Sequence, residues 1–174
     1  IALVFLRLGT VAFGGPAAIP HPKESPMRFM IIVKASAASE AGVLPTEAKL
    51  AEMAKYHEEL ATAGVLIDGS GLRETRLGWR VHYDGDKRTV VDGPFTETKE
   101  LIAGFTIIRT DTREQALEWS RRFPNPNLDD SPCAIEVRQM FELEDFGESD
   151  TLDRFREIEM GGDAAFRQAH GSKS

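Results

Sequence analysis

Val90-Val91-Asp92-Gly93-Pro94-Phe95 is the stretch on which the reading of this 174-residue chain turns. A β-prone approach runs into an acid, a glycine and a proline, so a strand ends there and the backbone turns sharply. Gly93 permits backbone angles closed to other residues, Pro94 fixes its own φ and restricts the residue before it, and Phe95 can anchor the corner in a core. Asp92 is thereby held at a strand end. Its carboxylate either points into a cleft or takes hydrogen bonds from the N–H groups of the turn.

Upstream of the corner, Trp79 to Tyr83 and Arg88 to Val91 alternate across Asp84-Gly85-Asp86-Lys87. Asp-Gly supplies the positive φ of a tight turn, so this is a β-hairpin with Trp79, Val81 and Tyr83 on one side and His82 on the other. Downstream, Leu101 to Arg109 reads as a strand. Asp111 with Glu114 reads as a capping box for a helix whose inner stripe is Ala116, Leu117, Ser120 and Phe123, ended by Pro124. Pro124 to Pro132 is loop, and Ala134 to Phe141 alternates as a closing strand.

Nearer the start, Phe29-Met30-Ile31-Ile32-Val33 is a continuous β-prone run, which suits a central strand covered on both faces. A small-residue loop from Ala35 to Gly42 leads to Thr46, the N-cap of a helix that runs to Ala63 and stops at Gly64. Leu50, Met53, Ala54, Leu60 and Ala61 make its apolar stripe, and His57 falls within that stripe. Val65-Leu66-Ile67 begins a second strand that loses its pattern at Asp68-Gly69-Ser70-Gly71, read as a short turn. The order of elements predicts an α+β fold, a ferredoxin-like βαββαβ sheet with an inserted hairpin and both helices on one face. Two helices cannot cover both faces, so the second face predicts a homodimer with the sheets of two copies together.

The composition, 41% hydrophobic and 28% charged, is that of a globular domain. The net charge of −7, with no cluster of Lys and Arg, argues against a nucleic-acid surface. Cys133 is the one cysteine, so no intramolecular disulfide can form and the chain suits a reducing, cytoplasmic setting; ahead of an apolar run it reads as a buried small hydrophobe. Residues 142–174 are an acidic extension in which Ser149-Asp150 caps a short helix carrying Leu152, Phe155 and Ile158. Residues 1–26 read as an extraneous segment before the domain at 27–141. They lack the uninterrupted apolar length of a membrane span and the basic start of a secretory signal. Phe5-Leu6-Arg7-Leu8-Gly9 with Ala12-Phe13-Gly14-Gly15-Pro16-Ala17 resembles the opening of chromate transporters, as a fragment within residues 1–18, and implies no transport function here.

Met27-Arg28-Phe29-Met30, Tyr56-His57-Glu58-Glu59-Leu60, Asp92-Gly93-Pro94-Phe95-Thr96-Glu97-Thr98-Lys99-Glu100, Ala103-Gly104-Phe105 and Ile135-Glu136-Val137-Arg138 together resemble the YCII-related family in its DGPF branch. The resemblance implies a dimeric α+β barrel of two ferredoxin-like subunits and a site formed by a helix histidine and an aspartate, which here are His57 and Asp92. Some members lie beside extracytoplasmic sigma factors, which implies a regulatory link as the alternative. Where members often carry His-Pro after the second helix this chain has Phe123-Pro124, and that histidine's role does not carry over.

Imidazole titrates near neutral pH, so His57 is the candidate for proton transfer, with Asp92 to fix its tautomer. Against this stands the common fate of a histidine on an apolar stripe, which is to be a satisfied core residue. Arg73, Lys99 and Glu100 are candidate substrate-binding residues; Glu58 points about 100° away from His57 around the helix. The four histidines show no metal-binding spacing, and neither a thiolate cluster nor a nucleophile elbow occurs, so the chemistry expected is proton transfer without metal or cofactor. The alternative is a non-catalytic ligand-binding or regulatory dimer.

Overall fold

The apolar run at 29–33 lies at the centre of β1 (Met27–Lys34), where Phe29 and Ile31 are buried beneath the helices. The computed structural model describes residues 26–96 and 100–158. The expectations for residues 1–25 and for Lys99 lie outside the described residues. After β1 come α1 (Ala37–Glu40), α2 (Glu47–Thr62), β2 (Leu66–Gly71), β3 (Trp79–Asp84), β4 (Lys87–Asp92), β5 (Ile102–Thr110), α3 (Arg113–Arg121) and β6 (Ile135–Gln139). A last helix, α4, covers residues 150–158.

The main sheet has the order β2-β5-β1-β6, every neighbouring pair antiparallel, and β3-β4 form a separate two-stranded sheet. This order is consistent with a ferredoxin-like α+β fold. The sheet is open, with β2 and β6 at its edges. Phe29 and Ile31 of β1, Ile108 of β5, Tyr56 and Leu60 of α2 and Ala116 of α3 form one buried cluster, which puts both helices on the same face. On the other face Met30 stands opposite Ile107 and Ile32 opposite Phe105, flanked by the Lys34–Glu136 ion pair at 2.5 Å.

The helix ends follow local chemistry. Thr46 accepts from the Lys49 N–H at the start of α2, and Gly64 with φ +71 follows its end. At α3 the cap is Thr112, which accepts from the Gln115 N–H, where Asp111 was expected; the Asp111 N–H instead donates to the Gln115 side chain. Leu117 is exposed, and Trp119 takes its expected place against the core, stacked edge-on to Tyr56, whose hydroxyl donates to the Trp119 carbonyl at 3.0 Å.

Three further expectations are corrected. The 35–42 loop contains the short helix α1, capped by Ser36. Asp68-Gly69-Ser70-Gly71 is strand rather than turn, paired through Gly69↔Thr106, Ser70↔Phe105 and Gly71↔Gly104. Cys133 is exposed rather than buried, its Sγ donating to Asn125 Oδ1 at 3.0 Å, because β6 starts two residues later and leaves it in the loop. Within α4, Leu152 is buried while Phe155 and Ile158 are exposed, so one side chain of the expected three anchors it.

Candidate functional site

The apolar stripe of α2 divides. Met53, Tyr56 and Leu60 join the core, whereas Leu50 and Ala54 border a cleft of about 620 Å³ together with Met53 and His57. The opposite wall is the glycine-rich end of β2 and residues 103–106 of β5, and the loop after α3 closes one side with Pro124, Pro126 and Leu128. Gly69 and Gly71 bring no side chain to this wall.

His57 sits half-buried on the floor. Its Nδ1 lies 2.9 Å from the Met53 carbonyl oxygen and its Nε2 lies 3.0 Å from Thr106 Oγ1. A carbonyl can only accept, so Nδ1 carries the proton and donates; in the neutral ring Nε2 then accepts from the Thr106 hydroxyl. Gly69 presses on the same ring, for a Cβ there would come within 2.9 Å of Nε2 and 3.4 Å of Thr106 Oγ1. Backbone, strand hydroxyl and glycine thus fix the imidazole from three directions.

Asp92 lies elsewhere. It closes the hairpin sheet opposite Trp79, is exposed and is not among the residues that line the cleft. No hydrogen bond or ion pair joins it to His57, whose two ring nitrogens are taken by Met53 and Thr106. The corner that Asp92 begins has a different task. A Cβ on Gly93 would stand 1.9 Å from the Thr75 carbonyl oxygen, the Phe95 N–H donates to Thr75 Oγ1 at 3.1 Å, and the Arg80 guanidinium lies 4.0 Å above the Phe95 ring. The Gly93–Pro94 peptide is cis. Thr75 in turn donates through its hydroxyl to Glu40 Oε2 at 2.5 Å, so the corner is seated on the segment that carries the cleft mouth.

That mouth is formed by Arg73 and Glu74. Glu74 is buried, and it accepts from Arg73 Nε at 3.3 Å and from Arg76 Nη2 at 2.5 Å. The Arg73 hydrogen bond, joined by the attraction of both guanidiniums, holds its carboxyl below the usual carboxylate range. At the far end Lys49 pairs with Asp130 and Glu52, and the Asp130 hydrogen bond raises its pKa. Of the other sequence candidates, Glu100 and Glu58 are exposed and do not line the cleft. Among the described residues no three His, Cys, Asp or Glu side chains converge as a metal site requires, and no helix is long and apolar enough to cross a membrane.

Residues 27–143 match the model of the YCII-related domain. The chain belongs to the YCII-related family. Its relatives include an uncharacterised protein of Rhizobium meliloti (strain 1021), 29% identical over 94 residues, which are 54% of this chain and 74% of that protein. The YCII-related domain spans β1 to β6 and so contains the whole cleft. Sequence reasoning found His57 and Arg73 but not Thr106, Gly69, Met53 or Glu74. The alternation of β5, which put Phe105 and Ile107 on one face, left Thr106 on the other and was the one available signal.

Proposed function

We propose that this YCII-related protein binds a small molecule in the cleft beside His57 and moves a proton on it, without a cofactor, in lyase, isomerase or hydrolase chemistry. The observation that carries this reading is the commitment of Nδ1–H to the Met53 carbonyl. It leaves the Nε2 lone pair, now taken by the Thr106 hydroxyl, as the proton acceptor of a ring that lines the cleft, where a ligand O–H or C–H can replace that hydroxyl, give its proton to Nε2 and take it back at another atom. The carbonyl of Met53 performs the orienting task for which Asp92 was a candidate. Asp92 serves the reading at the corner.

The same proposal places the working unit in a homodimer, because the face with Met30, Ile32, Phe105 and Ile107 is apolar at its centre and ion-paired at its margin through Lys34, Glu136 and Arg138. A dimeric α+β barrel would form if two such faces met. A second reading, ligand binding without turnover, is favoured by the Thr106 hydroxyl, which already satisfies Nε2.

A turnover screen on the full chain against His57→Gln separates them. Product formation by the parent and a loss of at least about 100-fold in the variant, the usual span of a general base, supports catalysis. Binding to both proteins without turnover supports the second reading, and turnover undiminished in the variant sinks the role of His57.

A further inference from the structure

The polar groups of the cleft are already satisfied by one another. Lys49 is paired with Asp130 and Glu52, and Arg73 with Glu74, so these charged side chains of the wall all meet their opposite within the protein. Ser36 and Ser39 cap each other, and the Asn125 amide donates to the carbonyls of Asp130 and Ser131 while its oxygen accepts from the Asn127 N–H. What faces the space between them is apolar: Val33, Val43, Leu50, Met53 and Leu72 among others.

Arg73 stays 75% exposed at the mouth, but a charged ligand seated deeper, at His57, gives up its hydration where Met53, Gly69 and Thr106 offer it no opposite charge, and that is costly. A neutral one meets no such cost. One polar contact can still be re-made at no loss, the contact between His57 Nε2 and Thr106 Oγ1. The hydroxyl of Thr106 can turn from Nε2 to donate to the oxygen of a ligand hydroxyl that itself donates to Nε2, so every proton keeps an acceptor.

We propose that the ligand class is a neutral, predominantly apolar and ring-sized molecule that carries a hydroxyl group, seated with that group at His57 and Thr106 and its body against α2 and β2. A volume of about 620 Å³ suits a molecule of that kind. The assignment rests on the proposed binding role of the cleft and narrows it to a chemistry: phosphorylated and multiply charged metabolites are excluded as ligands.

Four probes of one shape test it on the full chain by calorimetry at neutral pH: 2-naphthol, naphthalene, 2-naphthoate and 2-naphthyl phosphate. The expected result is that 2-naphthol binds at least about tenfold more tightly than either anion, by the desolvation cost of the charge. Its affinity should hold between about 0.05 and 0.5 M salt, naphthalene should bind more weakly than naphthol, and nuclear Overhauser contacts should run from the naphthol ring to His57. Ala54→Trp, an exposed position on the cleft wall, should abolish binding; if that variant unfolds, the His57 contacts alone locate the probe. Tighter binding of naphthoate or naphthyl phosphate, weakening with salt, overturns the ligand class while leaving the cleft as the binding site. Failure of all four to bind, or contacts remote from His57, overturns the class and the binding role of the cleft together.

Discussion

Replacing Gly93 with alanine sets two effects of opposite sign against each other. Gly93 is not in the left-handed region, so its backbone would accept alanine, and the lower entropy of the unfolded chain alone would stabilise the protein by about 0.4–1 kcal/mol. The folded state has no room, however. The new methyl would stand 1.9 Å from the Thr75 carbonyl oxygen, 2.7 Å from its carbon and 3.2 Å from the Arg76 nitrogen, all backbone atoms that no rotamer change can move aside. Relieving this requires the corner and the Thr75 turn to part by roughly 1 Å, as an overpacked core must shift. The separation stretches the Gly93 N–H bond to the Gly78 carbonyl, now 2.9 Å, and the Phe95 N–H bond to Thr75 Oγ1, now 3.1 Å. Overpacking of this kind costs about 1–3 kcal/mol and each weakened hydrogen bond about 1 more. The expected net is a loss of at least about 2 kcal/mol, read as a lower urea midpoint at unchanged slope. Thr75→Ser, which keeps the hydroxyl, should stay close to the parent. A Gly93→Ala variant as stable as the parent would show that the corner is not seated on Thr75.

Gly69→Ala should push the His57 ring off Thr106, since the added carbon would lie 2.9 Å from Nε2; the ring's ¹⁵N shifts should change, with a stability loss of about 1–2 kcal/mol. In the parent those shifts should report the Nδ1–H tautomer at high pH, and an Nε2–H tautomer would contradict the Met53 contact. Burial pushes the Tyr56 hydroxyl up to about 12 from an ordinary 10.0. The folded state therefore keeps this proton after the unfolded chain has lost it, so the stabilisation is complete below about pH 10 and falls as the pH rises toward 12. Tyr56→Phe should remove that part of the alkaline decline, as followed by urea titration at successive pH values. Glu74 has the reverse sign. Its lowered pKa gives stability above the ordinary carboxylate value that is lost as the pH falls through the folded one, and Glu74→Gln should flatten that acid limb.

Local patterns carried most of the fold and little of the site, and the division has a physical cause. Thr46 and Gly64 bound α2 through contacts within a few residues, and Asp84-Gly85 turns the hairpin with Gly85 at φ +55, so both were legible from neighbours in the chain. The errors in α3 were choices that locality does not decide: Asp111 and Thr112 are both good caps, and Leu117 and Trp119 are both apolar candidates for the inner face, which Trp119 takes. The site was harder because its partners are distant in sequence. His57 and Thr106 are 49 positions apart, and the ring's other partner is a backbone carbonyl, which no side-chain pattern can announce. The two glycine-bearing stretches show how one residue type hides two reasons. Gly93 was read for its backbone freedom, yet it does not use that freedom, and its missing side chain is what the Thr75 backbone requires. Gly69 was read as part of a turn and is instead strand, bare so that an imidazole can lie against it. In both places the glycine marks an approach by another part of the chain, and the approach at Gly69 is the one that leaves a proton-accepting nitrogen at the floor of an apolar cleft. If that nitrogen is the working atom, then enlarging residue 69 should harm ligand chemistry more than enlarging residue 71, where a Cβ meets nothing within 4 Å although it borders the same cleft. Equal effects at the two positions would mean that the wall matters only as a shape.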